Sequence, residues 1–134
     1  MCLKQTCLLA VLIAASTGAS AEWFKVSEGD TDGGYRIYLD PQSVRKAADK
    51  AKVWTMTDYT EYQSTPGGVQ YKSIMAQHEY DCKEGIWRTV LLTAYKQGMA
   101  EGRVVHAEKQ PSSWAPVIPD TSADVKFKLV CKYL

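Results

Sequence analysis

Two cysteines, Cys82 and Cys131, are the feature that most restricts how this chain can fold. The other two cysteines of the sequence, Cys2 and Cys7, lie in the first 21 residues. That segment has a lysine near its start, then an apolar run over residues 8–15, then small residues ending at Ala21. This order is typical of a cleavable secretory signal peptide. We therefore expect residues 1–21 to be removed after Ala21, leaving residues 22–134 as a single exported domain.

An exported chain enters an oxidising compartment in which disulfides persist. Because only Cys82 and Cys131 remain after cleavage, a disulfide between them has one connectivity, and closing so long a loop restricts the unfolded chain by roughly 4 kcal/mol. The alternative is a redox or metal site, but the sequence has no CxxC pair and no His or acidic cluster at ligand spacing. The pattern therefore favours a structural disulfide and predicts no metal site.

The expected location follows from the same N-terminal segment. Its apolar run is shorter than the roughly 20 residues that a membrane-spanning helix needs, and no later segment is as apolar, so we expect no transmembrane segment. No cysteine follows the cleavage point directly, so we expect no lipid anchor either. The mature chain is predicted to reside in the periplasm, on the cell surface or outside the cell.

The charge balance argues against one class of partner. The sequence has 16 Lys and Arg against 15 Asp and Glu. A balance so near zero gives no overall electrostatic attraction for nucleic acid or for an anionic membrane. We therefore expect no nucleic-acid partner.

Strand patterns dominate the mature chain. β-Branched and aromatic residues, divided by Gly and Pro turns, predict about six strands. On the fourth of these the alternation places Ile74, Ala76, His78, Tyr80 and Cys82 on the core side. The predicted strands cover residues 22–26, 35–39, 53–62, 69–82, 86–95 and 103–107.

Two helices are predicted. Asp40 before Pro41 indicates a helix of one or two turns after the second strand. Near the end, Thr121 or Ser122 can cap a helix whose apolar stripe is Val125, Leu129 and Tyr133. The alternation over residues 125–129 also fits a strand, but the capping residues favour the helix. The predicted fold is α+β, an antiparallel sheet with a short helix after strand 2 and a C-terminal helix packed on the sheet.

Catalytic chemistry has little support in the sequence. His78 and His106 are the only histidines, and neither belongs to a nucleophile motif. Asp58 and Glu61 are read as solvated strand residues rather than an acid and base pair. We therefore predict no catalytic residues and no cofactor.

Aromatic residues are the remaining unusual feature, with four Trp and eight Tyr. Most are expected to pack in the core or across strands. Trp54, on a strand of mixed polarity, and Trp114, between prolines, are the candidates for an exposed strip that binds a protein partner.

A series of residues spread along the mature chain forms a distinctive pattern: Trp23, Tyr38-Leu39-Asp40, Val53-Trp54, Asp58-Tyr59, Ser73, Asp81-Cys82, Arg88, Met99, Gly102, Trp114, Pro119 and Val130-Cys131. In this order the residues resemble the surface-adhesin protein E family of bacterial secreted proteins. The resemblance implies about six antiparallel strands with a C-terminal helix, a disulfide between the matching cysteines, and a homodimer. The family takes its name from an adhesin that binds host extracellular-matrix and serum proteins.

These observations predict an exported, non-catalytic binding protein of the bacterial cell envelope. It is expected to be adhesin-like and to bind host matrix proteins or envelope proteins. Two alternatives stay open at this point: a small periplasmic enzyme or accessory factor, and a carrier that holds a small ligand in a groove between sheet and helix.

Overall fold

The computed structural model describes residues 22–134. The predicted signal peptide and its cleavage site after Ala21 lie outside the described residues.

The described chain forms one antiparallel sheet of eight strands. Six strands lie side by side in the order β1-β2-β4-β5-β6-β7, while β3 pairs with β4 and β8 pairs with β6. The antiparallel sheet is confirmed, but it has more strands than predicted because β3 and β8 are too short to show a pattern. The strands are β1 Phe24–Gly29, β2 Tyr35–Leu39, β3 Arg45–Ala47, β4 Lys50–Ser64, β5 Gln70–Asp81, β6 Ile86–Tyr95, β7 Val104–Glu108 and β8 Ala115–Pro116.

The predicted helix after the second strand is wrong. Pro41–Ser43 forms only a 3-10 turn, in which the Asp40 side chain accepts a hydrogen bond from the backbone N–H of Gln42 at 3.0 Å. The Ser43 hydroxyl then accepts the N–H of Trp54 at 2.8 Å. The turn thereby fastens the chain to β4, and the next residues pair with that strand as β3. Hydrogen bonds to the neighbouring strand replace those that a longer helix would have made.

The C-terminal helix is confirmed. Helix α1 covers Ser122–Lys128, with Thr121 as the N-cap that accepts the N–H of Asp124 at 3.3 Å. A π-helical turn, Leu129–Tyr133, extends it. The capping residues, rather than the strand-like alternation, thus predict the structure of this segment.

The predicted buried stripe of this helix is wrong. Val125 is 36% exposed and Tyr133 is 77% exposed, whereas Ala123, Lys126 and Val130 are buried. The buried positions follow the spacing i, i+3, i+7 of a helix face. Because a lysine lies at the centre of this face, the pattern of apolar residues did not predict it.

The core lies between α1 and one face of the sheet. Its fully packed members come from three strands and the helical end: Leu39, Ala51, Val53, Tyr80 and Val130. The predicted core side of β5 is confirmed, since Ala76, His78 and Tyr80 are all buried. Burying one large apolar side chain contributes about 1.5–3 kcal/mol, so the attachment of the helix depends on this small set.

The predicted disulfide is present. Cys82 and Cys131 are joined with their Cα atoms 5.6 Å apart. Cys82 directly follows β5, and Cys131 lies in the π-helical turn. The bond therefore fixes the helical end of the chain to a central strand of the sheet.

A buried lysine and a buried histidine meet under the helix. The Nζ atom of Lys126 is 3.2 Å from Nδ1 of His78, and the ammonium lies 5.7 Å from the ring centroid of Trp87. Burial, and then the charge of Lys126, hold the pKa of His78 well below its usual value. Burial also lowers the pKa of Lys126 to about 8. Because the lysine loses its proton less readily than the histidine, Lys126 donates to a neutral His78 at neutral pH.

Loss of the disulfide should loosen the helical end. Replacing Cys82 and Cys131 with serine is expected to lower the free energy of unfolding by about 2–4 kcal/mol, because the unfolded chain regains freedom. Urea titration of the oxidised protein and the double variant measures this difference. Reductant should destabilise the wild-type protein and leave the double variant unchanged. Equal unfolding midpoints for the two oxidised proteins would contradict the structural role.

Acid should weaken the protein through His78. An unfolded histidine titrates near pH 6.5, and the folded pKa of His78 lies well below that value. Below about pH 6.5 the unfolded chain therefore binds a proton that the folded chain does not bind. The free energy of unfolding thus decreases as the pH decreases. His78→Gln should flatten the change in urea midpoint between about pH 7.5 and about pH 5.5. The matched control variant, His106→Gln, replaces the other histidine, and equal slopes for both variants would refute the assignment.

Candidate binding face

The sheet has two faces, and α1 lies on one of them. Side chains alternate between the faces along each strand, so the strand register assigns every position. We call the face opposite α1 the open face. Along β4, Trp54 and Met56 point to it, and their cross-strand partners extend it over β2, β5 and β6. Its large side chains are Tyr38, Trp54, Met56, Met75, Leu91 and Tyr95.

The centre of the open face is aromatic and sulfur-rich. Tyr38 is opposite Met56, and Met56 is opposite Met75, so the three form a row across the sheet. Met56 is buried by its neighbours, while Tyr38, Met75 and Trp54 are half-buried. The one α-helix of the described range lies on the other side, so Tyr38, Trp54 and Met75 keep a free surface. Tyr, Trp and Met are the residue types that protein interfaces favour.

A loop over residues 96–103 closes one end of the open face. The Asp58 carboxylate accepts the N–H of Met99 at 2.9 Å and a hydrogen bond from the Arg36 guanidinium at 2.8 Å. The Ser73 hydroxyl accepts the N–H of Ala100 at 2.9 Å and donates to the Gln97 carbonyl at 2.6 Å. Two buried strand residues therefore hold the loop in place.

The loop is held in an unfavourable backbone conformation. Met99 and Ala100 have φ angles of 54° and 59°, a region that costs a residue other than glycine about 1–2 kcal/mol. The hydrogen bonds that the Met99 and Ala100 N–H groups donate to Asp58 and Ser73 offset this cost. Beside the loop lies a polar depression of about 550 Å³, lined in part by Arg36, Lys72 and Glu101. Fixed, strained loops of this kind are common at binding sites.

Sequence reasoning missed the role of Asp58. It was expected to be solvated, but it is buried, whereas Glu61 is exposed. The sequence does contain a signal for its burial, since Asp58 lies on the same face of β4 as Trp54 and Met56.

The two predicted partner-binding tryptophans lie toward the same face. Trp54 is half-buried on β4, opposite Gln77. Trp114 is half-buried just before β8, with the Arg88 guanidinium 4.6 Å and the Lys50 ammonium 5.7 Å from its ring centroid. Lys50 and Arg88 are open-face positions, so the structure brings Trp114 to the edge of the open face. Whether these indoles bind a partner stays a prediction.

The histidines do not form a site together. His78 is buried below α1, whereas His106 lies on β7 and bonds to Glu108 at 2.9 Å. Within residues 22–134 no three His, Cys, Asp or Glu side chains are grouped as metal ligands. In the same range, none of the helices has the length and apolarity to cross a membrane.

An apolar groove occupies the other face, beyond the helix. It has a volume of about 610 Å³, and its walls include Tyr71, Ile74, Leu92 and Ala94. The turn between β4 and β5 forms one rim through Pro66. This groove lies beside the turn rather than between sheet and helix, where a ligand cavity was expected.

Comparison with known proteins identifies the fold. A family model for surface-adhesin protein E matches residues 23–132. A solved structure of Haemophilus influenzae protein E is similar with a TM-score of 0.61 at 14% identity, covering 86% of this chain and 87% of that chain. A protein E structure from non-typeable Haemophilus influenzae also has a TM-score of 0.61 at 14% identity, with 89% and 81% covered. No curated protein matches the chain.

The sheet with its uncovered aromatic face, taken with this match, defines a surface adhesin-like binding protein. The chain belongs to the surface-adhesin protein E family. The resemblance seen in the sequence is thereby confirmed, and the family implies a surface or exported protein.

Removing the Asp58 carboxylate should release the 96–103 loop. Asp58→Ala leaves the Met99 N–H and the Arg36 guanidinium without their acceptor, which should cost about 1–3 kcal/mol. Hydrogen exchange should accelerate at the loop amides, which report its opening. The control is Asp30→Ala, which removes an exposed carboxylate from another loop. Unchanged exchange over residues 96–103 in the Asp58 variant would show that the loop is held by other contacts.

Proposed function

We propose that this protein is an exported, non-catalytic adhesin that binds host matrix proteins or envelope proteins through the open face, with Trp54 and Trp114 as anchors. The observation that carries the proposal is the uncovered surface of Tyr38, Trp54 and Met75. Tryptophan and tyrosine dominate the binding energy of many protein interfaces, and an indole at each of two places gives a partner separate points of attachment.

The rigidity of the open face supports binding rather than catalysis. Its side chains rise from paired strands, and the loop beside it is fixed by Asp58 and Ser73. A surface that is already ordered loses little conformational entropy on association. The nearest buried carboxylate, Asp58, is engaged by the loop and by Arg36, so it is not placed as a free base.

The cellular setting of the proposal rests on the sequence. Removal of residues 1–21 would deliver a single domain, residues 22–134, to the periplasm or the cell surface. A homodimer, which the family resemblance implies, could form along a sheet edge, since β1 and β7 each pair with one neighbouring strand only among the described strands.

A carrier of a small apolar ligand is the second candidate. The groove beside Ile74 and Leu92 favours it, because its lining is mainly apolar. Such a protein would retain a small molecule and no protein partner, which separates it from the adhesin in the same experiment. A periplasmic enzyme or accessory factor would instead show turnover of a captured molecule.

Truncation of Trp54 should weaken partner binding. The mature protein is immobilised and exposed to purified matrix proteins and to envelope extract, and retained proteins are identified and their affinities measured. Trp54→Ala should weaken binding by about tenfold or more, because an interface anchor contributes over 1 kcal/mol. Trp114→Ala should have a similar effect.

The control for this experiment is Tyr133→Ala, which removes a ring that is exposed at the far end of the helix. Trp54→Phe keeps an aromatic ring in the sheet. If its melting temperature equals that of the wild-type protein, any loss of binding is due to loss of contact with the partner and not to unfolding. Undiminished binding by both tryptophan variants would overturn the role of the open face. Retention of small molecules alone would favour the carrier.

A further inference from the structure

The hairpin formed by β3 and β4 concentrates positive charge in a chain that is nearly neutral. We propose that this hairpin, residues 45–52, together with Arg88, binds a linear sulfated polysaccharide. We call these residues the basic hairpin. Arg45, Lys46, Lys50 and Lys52 lie within eight consecutive residues, although the formal net charge of the whole sequence is only +1.

The cations of the hairpin are available to a ligand. The ion pairs within residues 22–134 use other cations, so none of the four is neutralised by a carboxylate at close range. The Arg45 guanidinium donates to the backbone carbonyls of Gln42 and Val44 at 2.8 and 2.9 Å. These bonds orient the guanidinium without removing its charge.

The strand register arranges the cations in a row. Arg45 is opposite Lys52, Lys52 is opposite Glu79, and Glu79 is opposite Arg88. Adjacent strands lie about 5 Å apart, so the row presents three cations across four strands. Its single carboxylate, Glu79, is buried and bonded to Arg88 at 2.8 Å. A polyanion crossing the row would therefore meet a surplus of positive charge.

The next row pairs one cation with one carboxylate. Lys50 is opposite Asp81, but the Asp81 carboxylate accepts the backbone N–H groups of Lys83 and Glu84 at 3.1 and 2.9 Å. The remaining carboxylate of the hairpin, Asp49, lies in the turn between its two strands. The surplus of positive charge therefore lies in the row of Arg45, Lys52 and Arg88.

Trp114 positions two of the cations. Arg88 and Lys50 both lie against its ring, at 4.6 and 5.7 Å from the centroid. A cation held on an aromatic face loses part of its motion before any ligand arrives.

The lining of the site indicates the chemistry of the ligand. The hairpin borders a shallow depression of about 300 Å³, whose side chains are Arg45, Lys46, Lys50, Lys52, Glu79 and two alanines. Its lining contains none of the aromatic or large apolar side chains that anchor many folded protein partners. A sulfated polysaccharide needs only cations for its sulfates and hydrogen-bonding groups for its hydroxyls. The surface or exported class of the protein places such chains, rather than nucleic acids, within reach.

Heparin is the probe that tests the proposal. The mature protein should bind immobilised heparin, and its affinity should fall as salt rises, because bound cations displace condensed counterions. Desulfated heparin, polyglutamate and a single-stranded oligonucleotide serve as competitors. Each should compete much less well than heparin itself. Equal competition by desulfated heparin would overturn the role of sulfate, and stronger competition by polyglutamate or the oligonucleotide would assign the hairpin to an acidic protein or to nucleic acid.

Two matched triple variants separate the site from net charge. Arg45→Gln/Lys50→Gln/Lys52→Gln removes three cations of the hairpin, while Arg103→Gln/Lys109→Gln/Lys132→Gln removes three exposed cations elsewhere. The first should lower heparin affinity by about tenfold or more and flatten its salt dependence. The second should stay near wild type, with equal melting temperatures showing that both fold. Equal loss in both variants, or no loss in the first, would overturn the proposal. The protein partner is tested on Trp54 and the polysaccharide on the hairpin, so either proposal can fail alone.

Discussion

The docking of α1 on the sheet determines which surfaces of this protein are available for binding. Val130 packs against Val53 and Tyr80, and the bond between Cys82 and Cys131 prevents the helical end from leaving. One antiparallel sheet with a single helix can cover only part of its area. The uncovered area is therefore a direct result of the fold, and it is where aromatic and cationic side chains collect.

The helix contact also contains a polar element that a simple apolar core would lack. Lys126 and His78 are buried together, and their hydrogen bond is the means by which two polar groups avoid being left without partners. Such a pair adds little net stability compared with apolar side chains of the same size. It does fix the rotation of α1, because sliding the helix by one residue would remove Lys126 from His78.

The sequence predicts those parts of this structure that obey a regular period. The alternation along β5 identified Ala76, His78 and Tyr80 as buried, because a strand repeats every two residues. The cysteine pair was predictable because it had a single connectivity. The turn at Pro41 was wrongly predicted to be a helix. The residues after it pair with β4 instead, and a local sequence pattern does not reveal pairing between separate segments. The helix stripe was misread because Lys126 is buried through a partner 48 residues away. The total charge near zero gave no sign of the basic hairpin, since Arg45, Lys52 and Arg88 form a row only when the strands are paired.

The disulfide also determines how the folded chain would carry mechanical force. Tension applied between the two ends of the described chain runs along residues 22–82, crosses the sulfur bridge to Cys131 and leaves through the last residues. Strands β6, β7 and β8 and the whole of α1 lie inside the closed loop and bear no direct load. The tension acts instead through β4 and β5, the two longest strands, which are paired side by side. The segment inside the loop, which includes Arg88 and Trp114, would thus stay closed by the disulfide while residues 22–82 are under tension.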